Sequence, residues 1–244
     1  MAGVLAYLLD SIYHAADNGL VTRLLSLDLS AAFDTIGHAT LFNRLTSGFG
    51  IMGSAHNWFR SYRLNRSFHA VISGSTSSSI SPLSCNVPQP QVSVLGPIIF
   101  IIYVSTIASI VSSHGVKQQQ YADNTHLFLF LSPISLSSKL WSLQQCISSL
   151  HSWFLHNGLV LNPSKTESIC FGTNPRVKSL SDLTSIDVAG AFVLLLNHNK
   201  LIGVTFDSLL NFDKRISNVC SSHFHIRALR DISPYLDSET SASN

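Results

Sequence analysis

Two acidic positions carry the chemistry that this chain displays most clearly. Asp28 ends the apolar, strand-like run Leu24-Leu25-Ser26-Leu27, and Asp123 stands in Tyr121-Ala122-Asp123-Asn124, at the tip of what patterns as a hairpin. Carboxylates brought together at the ends of adjacent strands can hold divalent cations and offset phosphate charge, which is the apparatus of phosphoryl transfer. Each one alone is weak: an Ala-Asp-Asn tripeptide is an ordinary turn, and an Asp after a strand is an ordinary helix cap. The chemistry therefore depends on elements that would bring the two together.

Those elements are predicted from periodicity and punctuation. Residues 1–18 place Leu5, Leu8, Leu9, Ile12 and Tyr13 at helical spacing, with Asn18-Gly19 as the stop. Val21 to Leu29 patterns as a buried strand, followed by a helix capped at Ser30 or Asp34 and ended by Ser47-Gly48. Residues 56–64 pattern as a helix with Trp58, Phe59 and Tyr62 on a buried face, and 68–73 alternates like a strand. The serine-rich stretch 73–84 is a loop or hairpin turn, and Leu95 to Val111 a buried apolar helix. Gln118 to Ala122 and Thr125 to Leu131 form the hairpin arms around Asp123. Lys139 to Asn157 is amphipathic, with Leu140, Leu143, Ile147, Leu150 and Phe154 on one face and Gly158 as its end. Strand, turn and strand follow over 159–171, then a loop at 172–186, a strand at 201–206 and a helix at 216–229.

Composition bounds the alternatives. The chain has 244 residues with 45% hydrophobic content, enough for a core, but only 11% charged residues against roughly 25% in an ordinary soluble domain. A net charge of +2 is weak support for a nucleic-acid partner. Cys85, Cys146, Cys170 and Cys220 show neither C-x-x-C pairs nor regular spacing, so they are expected as reduced thiols. The start has no basic segment ahead of its apolar run, and Leu95 to Val111 falls short of the ~20 apolar residues of a membrane span. No H-E-x-x-H or G-x-S-x-G motif occurs. Arg60, Arg63 and Arg66, three residues apart beside Trp58, Phe59 and Tyr62, form either a nucleic-acid contact or a solvated helix face.

Five ordered blocks add a resemblance. Leu25 to Thr35 (LSLDLSAAFDT), Val87-Pro88-Gln89 with Ser93 to Pro97, Tyr121 to Thr125 (YADNT), Leu161 to Glu167 (LNPSKTE) and Leu201 to Val204 together resemble the reverse transcriptase of LINE-type non-LTR retrotransposons. The resemblance implies an α+β fold: a right-hand polymerase palm, an antiparallel sheet with helices packed on one face, with incomplete fingers and a truncated thumb. Residues 1–198 would be the palm with partial fingers, and 199–244 the primer-grip strand and the start of a thumb. It implies an RNA-directed DNA polymerase that adds deoxynucleotides to a primer 3′-hydroxyl by two-metal phosphoryl transfer. Asp28 and Asp123 would hold two Mg²⁺ ions, or Mn²⁺, with Asn124 and Lys165 completing the catalytic set. Phe33 would pack on the incoming sugar and disfavour a 2′-hydroxyl, and Gln89 would help to hold template and nucleotide. The implied partners are an RNA template, a DNA primer and dNTP, in an intracellular protein without membrane association.

The blocks also differ from the family pattern. The hairpin tip has Asn124 where the family has a second Asp, which retains an oxygen ligand and removes a charge. Pro88-Gln89 is followed by Pro90-Gln91-Val92 in place of a single glycine, and proline's fixed φ cannot copy a glycine turn. Asn86 and Gly37 stand where the family commonly has Gly and Asp. Two functions therefore remain open from the sequence: an active polymerase palm, or a catalytically inactive retroelement remnant that at most binds nucleic acid.

Overall fold

The structure, a computed structural model, describes residues 2–30, 32, 35–63, 71–72, 75–76, 95–180, 184–201, 203–211, 216–217 and 219–221. The chain begins with helix α1 (Ala2–Asp17), strands β1 (Val21–Leu27) and β2 (Leu29–Ser30), and helices α2 (His38–Ser47) and α3 (Gly53–Arg63). A small ribbon, β3 (Val71–Ile72) with β4 (Ser75–Thr76), precedes helices α4 (Leu95–Val104) and α5 (Ile107–Ser113). The hairpin β5 (Lys117–Tyr121) and β6 (Asn124–Leu131) leads into the long helix α6 (Leu136–His156). Then come β7 (Val160–Leu161), β8 (Glu167–Phe171), α7 (Asn174–Lys178), β9 (Ser185–Val188), β10 (Ala191–Leu196), β11 (His198–Leu201) and β12 (Val204–Asp207).

Six strands make the main sheet in the order β5-β6-β1-β8-β10-β9. β1 runs antiparallel to both neighbours, with Leu27 opposite Thr125 on β6 and Ser26 opposite Glu167 on β8, and only β8 and β10 pair in parallel. The fold is thus α+β with a predominantly antiparallel sheet, as the sequence led one to expect. β1 is buried almost throughout because both faces of the sheet are covered. Alternation along the strand sends Leu25 and Leu27, with Leu127 and Leu129 of β6, toward α2, α4, α5 and α6. It sends Leu24, with Phe128, Ile169 and Phe171, toward Leu8 and Ile12 of α1 and Leu201 and Phe206 of the β11–β12 hairpin. Four helices therefore lie on one face, and α1 with a hairpin on the other.

Several boundaries differ from expectation, each for a local reason. α2 starts at His38, well after Ser30, because Leu29 and Ser30 pair with Leu161 and Val160 of β7 before the helix can begin. The apolar segment from Leu95 is two helices bent by 47°. At the break the Ser105 hydroxyl donates to the Ile102 carbonyl at 2.9 Å, a back-bond that bends helices. Among the described residues no single helix is long and apolar enough to cross a membrane. Both halves instead bury Ile99, Phe100, Val104 and Ile107 against the sheet. Strands β7 and β8 do not pair with each other; they join β2 and β1. The expected loop at 172–186 contains α7, started by Pro175 in its first turn, and the first half of β9. β10 was not foreseen. The expected strand 201–206 is a hairpin turning at Gly203, whose φ of 80° suits glycine. Trp58, expected buried, is half exposed. Cys146 and Cys170 are buried and Cys220 exposed, all as free thiols. Cys85, Arg66 and most of the expected 216–229 helix lie outside the described residues.

Candidate active site

The site is built where the central strand ends. Asp28 lies between β1 and β2, so its backbone leaves the β1–β6–β8 ladder at Leu27 and enters a different pairing at Leu29. The step is held by a neighbouring turn: the Asp28 N–H donates to Thr166 Oγ1 at 3.3 Å, and its carbonyl accepts from the Asn162 N–H at 2.9 Å. The turn is tied internally, with Thr166 Oγ1 donating to the Asn162 carbonyl at 2.9 Å and Ser164 Oγ to Asn162 Oδ1 at 2.7 Å. Asn162-Pro163-Ser164 is turn chemistry, and its product is a rigid brace under Asp28 that carries Lys165.

Asp123 reaches the same end of the sheet from β6. Tyr121 pairs with Asn124, so Ala122 and Asp123 form a two-residue turn, and Leu27 pairs with Thr125 on the adjacent strand. Ala122 takes φ 53°, the left-handed conformation that such hairpin turns need and that costs a non-glycine residue about 1 kcal/mol. The β1–β6 ladder ends at Leu27 and Thr125, with Asp28 the next residue on one strand and Asn124 and Asp123 the next on the other. Asn124 is exposed, and its Nδ2 points at Asp123 Oδ1 at 3.4 Å.

Electrostatics tie the three charged groups into one cluster. Partial burial pushes the Asp28 carboxyl above the ordinary carboxylate range, the nearby Lys165 ammonium opposes that shift, and the Asp123 carboxylate reinforces it. A carboxylate that is both desolvated and faced by another gains from a cation between them. No group of three or more His, Cys, Asp or Glu side chains that could hold a metal occurs among the described residues. Mg²⁺ keeps several waters and takes one or two protein carboxylates together with substrate phosphate oxygens, so two carboxylates are a donor set of the kind it uses.

Asp28, Asp123, Asn124 and Lys165 are therefore brought together. Phe33 and Gln89 lie outside the described residues. Sequence reasoning singled out Lys165 but missed its neighbours Asn162 and Thr166 as the groups that fix Asp28; the Asn-Pro-Ser turn next to Lys165 was the signal that could have found them.

A central antiparallel sheet backed by helices, with acidic residues at the end of its middle strand and at the adjacent hairpin tip, defines the palm of a polymerase. The known proteins narrow the class. Residues 5–203 match the reverse transcriptase (RNA-dependent DNA polymerase) family, and the chain belongs to that family. It is 25% identical over 198 residues to the RNA-directed DNA polymerase from mobile element jockey of Drosophila melanogaster, covering 79% of this chain and 20% of the relative. It is 26% identical over 207 residues to the probable RNA-directed DNA polymerase from transposon BS of the same fly, covering 82% and 22%. The chain thus spans about a fifth of the length of these relatives. In structure it resembles apo telomerase from Candida tropicalis, truncated from its C-terminal domain, with TM-score 0.56 and 13% identity over 86% of this chain and 39% of that one. That likeness concerns the fold. The resemblance to LINE-type reverse transcriptases is borne out by the family and by both mobile-element relatives.

Proposed function

We propose that this chain is the palm of an RNA-directed DNA polymerase that extends a primer 3′-hydroxyl on an RNA template. The observation that carries the reading is the convergence of Asp28, Asp123 and Lys165 at one end of the sheet, with the Asp28 proton affinity raised by burial and by Asp123. Asp28 and Asp123 would hold two Mg²⁺ or Mn²⁺ ions; bound there, the ions lower the pKa of the attacking hydroxyl and offset charge on the leaving pyrophosphate. Asp28 is the positioned ligand, because both its backbone polar groups are fixed by the 162–166 turn. Lys165, carried by that turn, supplies positive charge and a proton toward the leaving phosphate. Phe33 excludes the 2′-hydroxyl of a ribonucleotide, and Gln89 holds template and nucleotide. The segment 199–244 takes the primer side, with the β11–β12 hairpin as its grip, and 1–198 forms the palm with partial fingers.

The test is primer extension on an RNA template with Mg²⁺ or Mn²⁺. Incorporation that vanishes in Asp123→Ala and in Asp28→Asn supports the proposal, and no incorporation at any metal concentration refutes catalysis.

A second reading has its own observation. Asn124 turns an amide N–H₂ toward Asp123, so the tip offers one carboxylate and a competing donor. An inactive palm of this kind would retain at most nucleic-acid binding, seen as RNA affinity that falls steeply with salt while extension stays absent.

A further inference from the structure

Arg23 is the least expected residue of the core. It lies in the middle of β1, is 1% exposed, and donates from Nε to Ser168 Oγ at 3.3 Å. Its Nη2 has no hydrogen-bond partner, and among the described residues no carboxylate pairs with it. A buried guanidinium in that condition lacks a counter-charge. It also lines a cavity of about 330 Å³ between α6 and β9, which opens beside two exposed aromatic side chains, Trp141 (66% exposed) and Phe192 (76% exposed).

Two other polar side chains there are already engaged. Gln144 Nε2 donates to the Asp187 carbonyl at 3.0 Å, and Asp187 Oδ1 accepts from the Gly190 N–H at 2.8 Å. The unmet donor is the guanidinium. A second cavity of about 280 Å³ shares Gln144 and Asp187 with the first and continues along α6 to Leu155, which is half exposed. Between Trp141 and Leu155 the helix rises roughly 20 Å, the span of about six residues of extended chain.

We propose that this groove along α6 binds an extended peptide segment that inserts one glutamate or aspartate side chain against Arg23 and lays apolar side chains on Trp141 and Phe192. A carboxylate matches the single guanidinium in charge and in its planar, forked geometry. A nucleic-acid backbone fits worse: it carries a charge at every nucleotide, and among the described lining residues Arg23 is the one lysine or arginine. The exposed aromatic pair gives an apolar-flanked carboxylate a footing that a bare inorganic anion cannot use.

The experiment compares the peptides acetyl-Phe-Glu-Phe-amide and acetyl-Phe-Gln-Phe-amide by calorimetry and by tryptophan fluorescence, on the wild-type chain and on Arg23→Met. Wild type should bind the Glu peptide about tenfold more tightly than the Gln peptide, and Arg23→Met should erase that difference. Arg23→Met removes an unpaired buried charge, so its thermal midpoint without peptide should equal or exceed that of wild type. Should it fail to fold, Trp141→Ala, a surface change, should weaken the Glu peptide. Equal binding of the two peptides by wild type, a Glu preference that survives Arg23→Met, or tighter binding of single-stranded RNA than of the Glu peptide at this groove overturns the proposal. None of these readouts uses polymerase activity.

Discussion

Replacing Asn124 by Asp tests the electrostatic logic of the hairpin tip most directly. Asn124 is exposed and its Nδ2 sits 3.4 Å from Asp123 Oδ1, so a carboxylate in its place would lie roughly 4 Å from a divalent cation held by Asp123. In a water-like dielectric, apt for an exposed side chain, the attraction between that charge and a divalent ion is about 2 kcal/mol. This corresponds to about a thirtyfold gain in affinity. The same carboxylate repels Asp123 by about 1 kcal/mol when no metal is bound, so the metal-free variant should be slightly less stable than wild type. Metal should restore that loss by mass action. Mn²⁺ titration followed by electron paramagnetic resonance, at low salt and again at high salt, measures both effects, and the gain should shrink as salt screens the exposed pair. Asp28→Asn serves as the internal control and should weaken Mn²⁺ binding. An Asn124→Asp affinity within about twofold of wild type, or an Asp28→Asn affinity equal to wild type, would refute the shared site.

Further outcomes follow from other contacts. Arg44 lies over the rings of Tyr103 (4.8 Å) and Trp153 (4.9 Å) and donates to Asn157 Oδ1 at 2.6 Å, so Arg44→Ala should cost about 3 kcal/mol in urea unfolding. Burial pulls His126 from 6.5 down to about 4, so the folded chain keeps it neutral where the unfolded chain protonates it. Its contribution is therefore complete above pH 6.5 and is lost as pH falls to about 4, with about 3 kcal/mol at stake. His126→Phe should flatten the stability profile over that range, and an unchanged slope would count against the assignment. Asp28 has the opposite sign: its raised proton affinity means that the metal-free chain gains stability as pH falls through its folded value, while Mn²⁺ binding weakens there because the proton competes. Thr166→Val keeps shape but removes the acceptor for the Asp28 N–H, and should cost about 1 kcal/mol and weaken Mn²⁺ binding, with circular dichroism unchanged.

The elements legible in the sequence were those whose register is decided by local pattern. α1, β1, the β5–β6 hairpin and α6 carry unbroken periodicity and clear stops at Gly19 and Gly158, where φ of 75° and 73° suits glycine. What escaped was decided by pairing. Leu29 patterns as the end of a strand and Ser30 as a helix cap, yet Leu161 and Val160 draw both into a two-stranded ladder. The apolar run from Leu95 gives no sign of its break, since the Ser105 back-bond acts only once the helix is packed. β10 shows Phe192 and Leu194 to solvent, so burial did not write an alternating pattern into it.

The two aspartates illustrate why a conjunction was needed. Neither has a local signature, and nothing in the residues near Asp28 names Asp123. They meet because β1 and β6 pair antiparallel with Leu27 opposite Thr125, which requires an apolar strand on one side and a turn of fixed length on the other. A one-residue slip of β6 would turn His126 and Phe128 toward the helices and Leu127 and Leu129 toward α1, so the packing on both faces guards the register. Core packing on this sheet thus sets the separation of the acidic pair, and substitutions at Leu127 or Leu129, remote from any charge, should move metal affinity whenever they disturb that register. Asn124 escapes this control: it sits beyond the last β1–β6 pair and is exposed, so the fold tolerates either amide or carboxylate there. The identity of that one residue varies at no cost beyond the roughly 1 kcal/mol of repulsion with Asp123, and that is why the fold and the capacity for catalysis have to be tested separately.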